Sequence, residues 1–278
     1  MELVKAERKC AKIRLAIQGP SGSGKTYSAL LLAHGLENNW NKIAVIDGEA
    51  NSSHLYSHLG EYLVLNLTKP FSPERYIEAL EACEHAGAEV IIIDGLSQEW
   101  SGEGGILDSL QSMTGNSFAA WARLTPRHNK LIQYILQSKC HIIGTLRTKM
   151  EYVLQQRDGK MIPEKVGLAA VQRDDLSFEF TCLLDLDIKH NATASKDRTG
   201  LFMDKPQFII SETTGAMIKD WCNSGFKVGD IELEIMECQT IEGLRHLFQK
   251  YPEYRKRIEP AIYRRKAQIE TLAAVVNP

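Results

Sequence analysis

Residues 13–26 read IRLAIQGPSGSGKT, and the fold of the whole chain turns on them. Ile13, Leu15 and Ile17 alternate as in a strand. Gly19-Pro20-Ser21-Gly22-Ser23-Gly24-Lys25-Thr26 then interrupts the alternation, and YSALLLAHGL continues at helical spacing. This is G-x-x-x-x-G-K-[ST] in the strand–loop–helix setting that gives the motif its meaning. Glycines let successive backbone N–H groups turn inward around phosphate oxygens, and the helix N-terminus adds its dipole. Lys25 is then placed to reach the β- and γ-phosphates of ATP, and Thr26 to hold Mg²⁺. The competing explanation, a chance Gly/Ser turn before a helix, has to account for both flanking elements by coincidence. The helix is expected to end at the polar cluster Glu37-Asn38-Asn39.

Working outward, KIAVIDGEANSS offers a short apolar strand, Ile43 to Ile46, opening onto Asp47, Gly48 and Glu49. A third strand, YLVLNL (62–67), follows. SPERYIEALEACEHAGAE predicts a helix with Ser72 as N-cap and Pro73 at the first helical position, although Arg75 stands where a capping box would want an acid or glutamine. EVIIIDGL has the unbroken apolar run of a strand buried on both faces. It ends in Asp94, which can hold the Mg²⁺ shell through water. CHIIGTLRTK supplies another apolar strand ending in Thr145, Arg147 and Lys149, with Thr145 placed to sense the γ-phosphate. Strands alternating with helices imply an α/β fold with a mainly parallel sheet and ligands at the carboxyl ends of its strands.

Hydrolysis needs a group that positions or deprotonates water beside the γ-phosphate. Many P-loop ATPases place a glutamate directly after the strand-end aspartate. Here Gly95 follows Asp94, which weighs against an AAA+ placement. Glu49 is the better candidate base, with Glu99 in reserve; the plainer alternative makes Glu49 a solvated loop acid.

Composition sets the limits around this core. The formal net charge is -2, so any basic footprint for nucleic acid must be local. The six cysteines contain no C-x-x-C pair, which argues against a zinc site or disulfide framework and suits a reducing cytoplasm. No stretch has signal-peptide or membrane-spanning length, so a soluble cytoplasmic protein without a membrane partner is expected. After WCNSGFKVGD the composition changes. The expected division is a core over residues 1–225 and a helical appendage over 230–278, with helices broken at Pro252 and Pro260. Residues 245–266 of that appendage are basic, as befits a solvated helical face, a DNA-gathering patch or a docking site.

From GPSGSGKT through IDGEA and VIIIDGLS to IIGTLR, the order of motifs along residues 12–210 resembles the RecA-like ATPases. The resemblance implies a RecA-like P-loop NTPase core whose Thr145 strand lies between the P-loop and Asp94 strands. It also implies that Glu49, in the aspartate–x–glutamate position, activates water. The family's sensor is usually a glutamine, and Thr145 departs from that. A closer similarity, to phage and prophage ATPases of the single-strand annealing recombinase type, rests on KIRLAIQGPSGSGKTYSALLLA, PFSPERYIEALEAC, LSQEWSGEGGILD and ATASKDRTGLF. It implies an ATPase acting on single-stranded DNA in homologous recombination or annealing, beside a single-stranded-DNA-binding protein, in a bacterial host cell.

RecA-like rings and filaments carry two cations one residue apart that reach a neighbour's γ-phosphate. The resemblance therefore implies a homo-oligomer in which Lys196 and Arg198 act in trans, with a solvated basic turn as the alternative. It also implies two DNA-contacting segments. One is SQEWSGEGGILDSL, with Trp100 free to stack on a base. The other spans residues 147–175, with Arg147, Lys149, Tyr152, Arg157 and Lys160. A β-hairpin with a DGK turn at residues 158–160 would explain much of the second segment without DNA. Two other functions remain open: a small-molecule phosphotransferase, with Arg157 and Arg173 recruited to a lid, and a non-catalytic annealing scaffold switched by ATP.

Overall fold

The computed structural model describes residues 11–113, 117–157, 160–173, 176–224 and 228–276. The chain opens with β1 (Arg14–Gly19), α1 (Lys25–Glu37), β2 (Ile43–Asp47), β3 (Leu63–Asn66), α2 (Pro73–His85) and β4 (Val90–Asp94). Three helices follow, α3 (Ser97–Ser101), α4 (Ile106–Ser112) and α5 (Ser117–Gln137), leading into the long hairpin of β5 (His141–Arg157) and β6 (Lys160–Ala170). Then come α6 (Leu176–Glu179), β7 (Cys182–Leu186), β8 (Asn191–Asp197), β9 (Phe208–Ile209) and α7 (Glu212–Asn223). The chain ends in α8 (Val228–Glu237), α9 (Ile241–Lys250) and α10 (Arg255–Val276).

The sheet order is β3-β2-β4-β5-β1-β7-β8-β9, with β6 paired to β5. Strands β3 to β7 along this path run parallel, while β6, β8 and β9 join antiparallel. The mainly parallel α/β sheet expected from the sequence is therefore present, and β5 lies between β1 and β4. Helices cover both faces, which is why VIIID of β4 is buried throughout and reads as an unbroken apolar run. Helix α1 ends at Glu37, with Asn38 in the left-handed conformation as its C-cap. Ser72 does sit at the N-cap of α2, but its hydroxyl makes no capping hydrogen bond. The first-turn Glu74 instead pairs with Arg127 at 2.7 Å, and this guanidinium holds the Glu74 carboxyl down at about 2.

Two buried polar groups fix the end of the sheet away from the P-loop. The Arg14 guanidinium donates to the carbonyls of Leu136 (3.1 Å), Ser138 and Cys140 (2.7 Å), closing the C-terminal end of α5 where free carbonyls favour a cation. Beside it, the buried His141 accepts the Ile13 N–H on Nδ1 at 3.1 Å. Burial, then the charges of Lys12, Arg14 and Lys219, push the His141 pKa down to about 3. Below about pH 6.5 the unfolded chain takes up a proton that the folded one refuses. The stabilising contribution is thus complete above that pH and shrinks by about 1.4 kcal/mol per pH unit on acidification. His141→Asn, which retains an acceptor for Ile13, is expected to remove about 2 kcal/mol of the stability difference between pH 7 and pH 5 in denaturant titrations.

The chain divides into two compact units, one covering Lys12–Trp221 and the other taking Cys222 onward. Ala11 belongs with the second, its N–H donating to the Cys222 carbonyl at 3.3 Å. Lys12 and Ile13, the other described residues ahead of β1, group with the core. In the second unit, Ile231 and Ile235 of α8 pack with Leu244, Tyr251, Ile258 and Ala261. The expected break at Pro260 is absent, because α10 runs through it. Pro260 lies in the second turn, where the ring removes one backbone hydrogen bond, and the burial of Ile258 and Ala261 on either side holds the helix together. Among the described residues no helix is long and apolar enough to cross a membrane.

Candidate functional site

The carboxyl ends of β1, β2 and β4 and the Thr145–Thr148 stretch of β5 surround a cleft of about 1090 Å³. Gly22 and Gly24 of the P-loop adopt φ values of 81° and 84°, a region that L side chains rarely enter. The Lys25 ammonium donates to the carbonyls of Gly19 (3.0 Å) and Pro20 (2.8 Å), so the loop itself aims it across the cleft mouth. Burial lowers its pKa, while Asp94 and Glu49 oppose that shift.

Asp94 is the hub of the floor. It accepts the Thr26 hydroxyl (2.9 Å), the Ser52 hydroxyl (3.3 Å) and the Thr145 hydroxyl (2.7 Å). Burial raises the Asp94 pKa, and the Thr145 and Thr26 hydroxyls draw it back. Thr145 in turn accepts the Gly95 N–H at 2.8 Å, joining the end of β4 to the first half of β5.

Asp47 and Asp94 sit side by side in register on β2 and β4. Asp47 does not face the cleft. It accepts the N–H groups of Glu49 and Ser53, each at 2.8 Å, and so turns the chain that aims Glu49. The Glu49 carboxylate pairs with Arg147. Gly95 explains the missing glutamate after Asp94: its φ is 89°, and a Cβ there would lie 2.8 Å from Glu49 Oε1. The space beyond the strand-end aspartate is filled from the neighbouring strand.

The cleft lining contains Ser21, Gly22, Gly24, Lys25 and Thr26 of the P-loop together with Glu49, Asp94 and Thr145. Gly19 and Pro20 contribute their carbonyls, and Ser23 is fully buried beneath the loop. Arg147, expected at a DNA surface, lines this cleft too. Glu99 does not. It is completely buried, accepting from Gln172 at 3.4 Å and meeting His128 Nδ1 at 3.0 Å, so it cannot serve as the reserve base. Trp100 is not free to stack on a base without rearrangement: its ring lies 5.9 Å from that of Trp121 and 5.7 Å from His128. Lys149 is exposed on β5, on the same side of the strand as Thr145 and Arg147. The side chains of Tyr152, Arg157 and Lys160 lie outside the described residues, as do residues 158–159 of the DGK turn. The flanking backbone pairs Arg157 with Lys160 across the hairpin.

Lys196 and Arg198 are far from this cleft. Lys196 pairs in register with Leu183, and the Arg198 N–H donates to the Thr181 carbonyl, level with the start of β1. The P-loop leaves the other end of β1, roughly 17 Å away at the usual strand rise. Both cations bond carbonyls at the end of α6, Lys196 to Ser177 (2.9 Å) and Arg198 to Phe178 (3.0 Å).

One feature of the cleft had no sequence signal. The β7–β8 turn brings Lys189 and His190 over the P-loop, and His190 Nδ1 lies 3.0 Å from the Ser23 carbonyl. Only the pairing of β7 beside β1 places them there.

A P-loop between β1 and α1, with the Thr145 strand inserted between β1 and the Asp94 strand, defines a P-loop ATPase with a RecA-like sheet. The chain belongs to the family described as AAA domain, whose model matches residues 11–211. Gly95 after Asp94 therefore does not keep the chain out of this family, and the Glu49 side chain lies beside it. A similar solved structure is the KaiC-like protein PH0186 from the hyperthermophilic archaeon Pyrococcus horikoshii OT3, 15% identical, covering 74% of this chain and 87% of that one, with a TM-score of 0.42. Among curated proteins none matches.

Proposed function

We propose that the protein binds Mg²⁺-ATP in the P-loop cleft, hydrolyses it with Glu49 as base, and uses the nucleotide state to control single-stranded DNA bound along the β5–β6 hairpin. The residues suit the nucleotide: a lysine and turned-in N–H groups for phosphates, hydroxyl and carboxylate oxygens for a hard cation, and a buried Thr148 hydroxyl in the cleft wall that lacks a partner. Thr26 and Asp94 would hold Mg²⁺, which neutralises charge developing on the phosphates. Glu49 orients and deprotonates the attacking water. Lys196 and Arg198, which cannot reach their own cleft, complete that of a neighbouring copy.

One observation carries the DNA half of this reading. β5 is a single strand from His141 to Arg157, running from the sheet centre past Thr145 and Arg147 into the hairpin. A change sensed at the γ-phosphate therefore reaches the hairpin without crossing a loop. Lys149 and the basic residues beyond it suit phosphate neutralisation independent of sequence. The resemblance to phage annealing recombinases motivates the biological setting, strand annealing or recombination beside a single-stranded-DNA-binding protein.

Fluorescent single-stranded oligonucleotide, titrated with and without Mg²⁺-ATP across a salt series, tests it. Three or four phosphate contacts should weaken binding roughly 20–50-fold between 50 and 200 mM salt, and ATP should change the affinity. No binding at low salt in either state would refute DNA as the substrate. Phosphorylated product formed without DNA would favour a phosphotransferase instead.

A further inference from the structure

The second unit carries two surface features that fit each other. Helix α8 buries Ile231 and Ile235 but leaves Leu233 56% and Met236 65% exposed. On the helix these two share one face, bordered by Glu232 and Glu237. Lone exposed apolar residues are ordinary; an adjacent apolar pair with acidic edges is a small amphipathic knob. Between α9 and α10 lies a groove of about 230 Å³, floored by Leu244, Phe248 and Ile262, with the exposed Tyr263 beside it. Its rim holds Arg245 and Lys266, opposed by Glu259. The knob is apolar with an acidic border, and the groove is apolar with a mainly basic rim.

We infer that the α8 knob of one copy docks in the α9–α10 groove of a second copy of this chain. Charge complementarity selects this occupant. Nucleic acid would find apolar side chains where phosphates need cations, and Glu232 and Glu237 would repel it from the knob. A single helix face in such a groove buries less than about 1,000 Å², so the contact is weak and its measurable consequence is concentration-dependent self-association. The inference needs no nucleotide and does not rest on the catalytic reading of Glu49 or Arg198.

Sedimentation of the nucleotide-free full chain across a concentration series is the test. The wild type should rise above monomer mass. Glu232→Lys with Glu237→Lys, and separately Arg245→Glu with Lys266→Glu, should each weaken association by about tenfold, and the two charge reversals combined in one chain should restore it. All four sites are surface positions, and circular dichroism confirms folding. Wild type that stays monomeric, either double variant associating like wild type, or a combined variant no stronger than the doubles would overturn the inference. ATPase turnover of the same variants, measured separately, keeps this failure distinct from failure of the proposed function.

Discussion

Glu49→Gln is expected to slow ATP hydrolysis by about 10²–10⁴-fold while leaving nucleotide affinity within a few-fold of wild type. The argument is geometric. The Glu49 carboxylate borders the cleft opposite Lys25 and Thr26, its backbone is fixed by Asp47, and Gly95 leaves room for it where other P-loop ATPases carry their own glutamate. The amide preserves the shape but accepts no proton. Phosphate-affinity groups are untouched, so binding and turnover should separate cleanly in a nucleotide-titration and phosphate-release pair of measurements. Undiminished turnover would make the carboxylate a loop anchor for Arg147 and leave the ATP site as a switch for a non-catalytic scaffold.

Arg198→Ala should reduce turnover by about 10³-fold or more in assembled protein, the scale of a lost arginine finger, with little change in nucleotide affinity of the isolated chain. Its distance from its own P-loop makes this a statement about neighbours. A mixing experiment isolates it. Arg198→Ala retains an intact cleft, and Glu49→Gln retains an intact finger. Equal amounts of the two inactive variants should regain roughly a quarter of wild-type turnover, the share of head-to-tail junctions pairing a good cleft with a good finger. Absence of recovery in a mixture shown to co-assemble would return Lys196 and Arg198 to the role the single chain shows, tying β8 to the end of α6.

Much of the fold could be read from the sequence because parallel strands buried on both faces leave long apolar runs. VIIID and IAVID announce themselves, and a glycine-rich loop between strand and helix has few uses. Side-chain destinations were less legible. Arg147 looks like one of several cations in a basic segment, and only the pairing of β5 with β1 and β4 puts it at Glu49. Gly95 reads as a missing glutamate, because the occupant of its volume comes from another strand. Trp100 looks available until α5 supplies Trp121 and His128. Pro260 reads as a stop because local rules count the lost hydrogen bond and not the buried neighbours that compensate for it.

The placement of cleft and paired cations at opposite ends of one sheet gives the molecule a front and a back. In an open row of n such molecules joined front to back, only n − 1 junctions exist, so one terminal cleft always waits for a partner. Specific activity should then climb with row length and protein concentration. A closed ring has no ends, and its activity should be flat once the ring has formed. The shape of a turnover curve against concentration thus reports the topology of the array without an image of it.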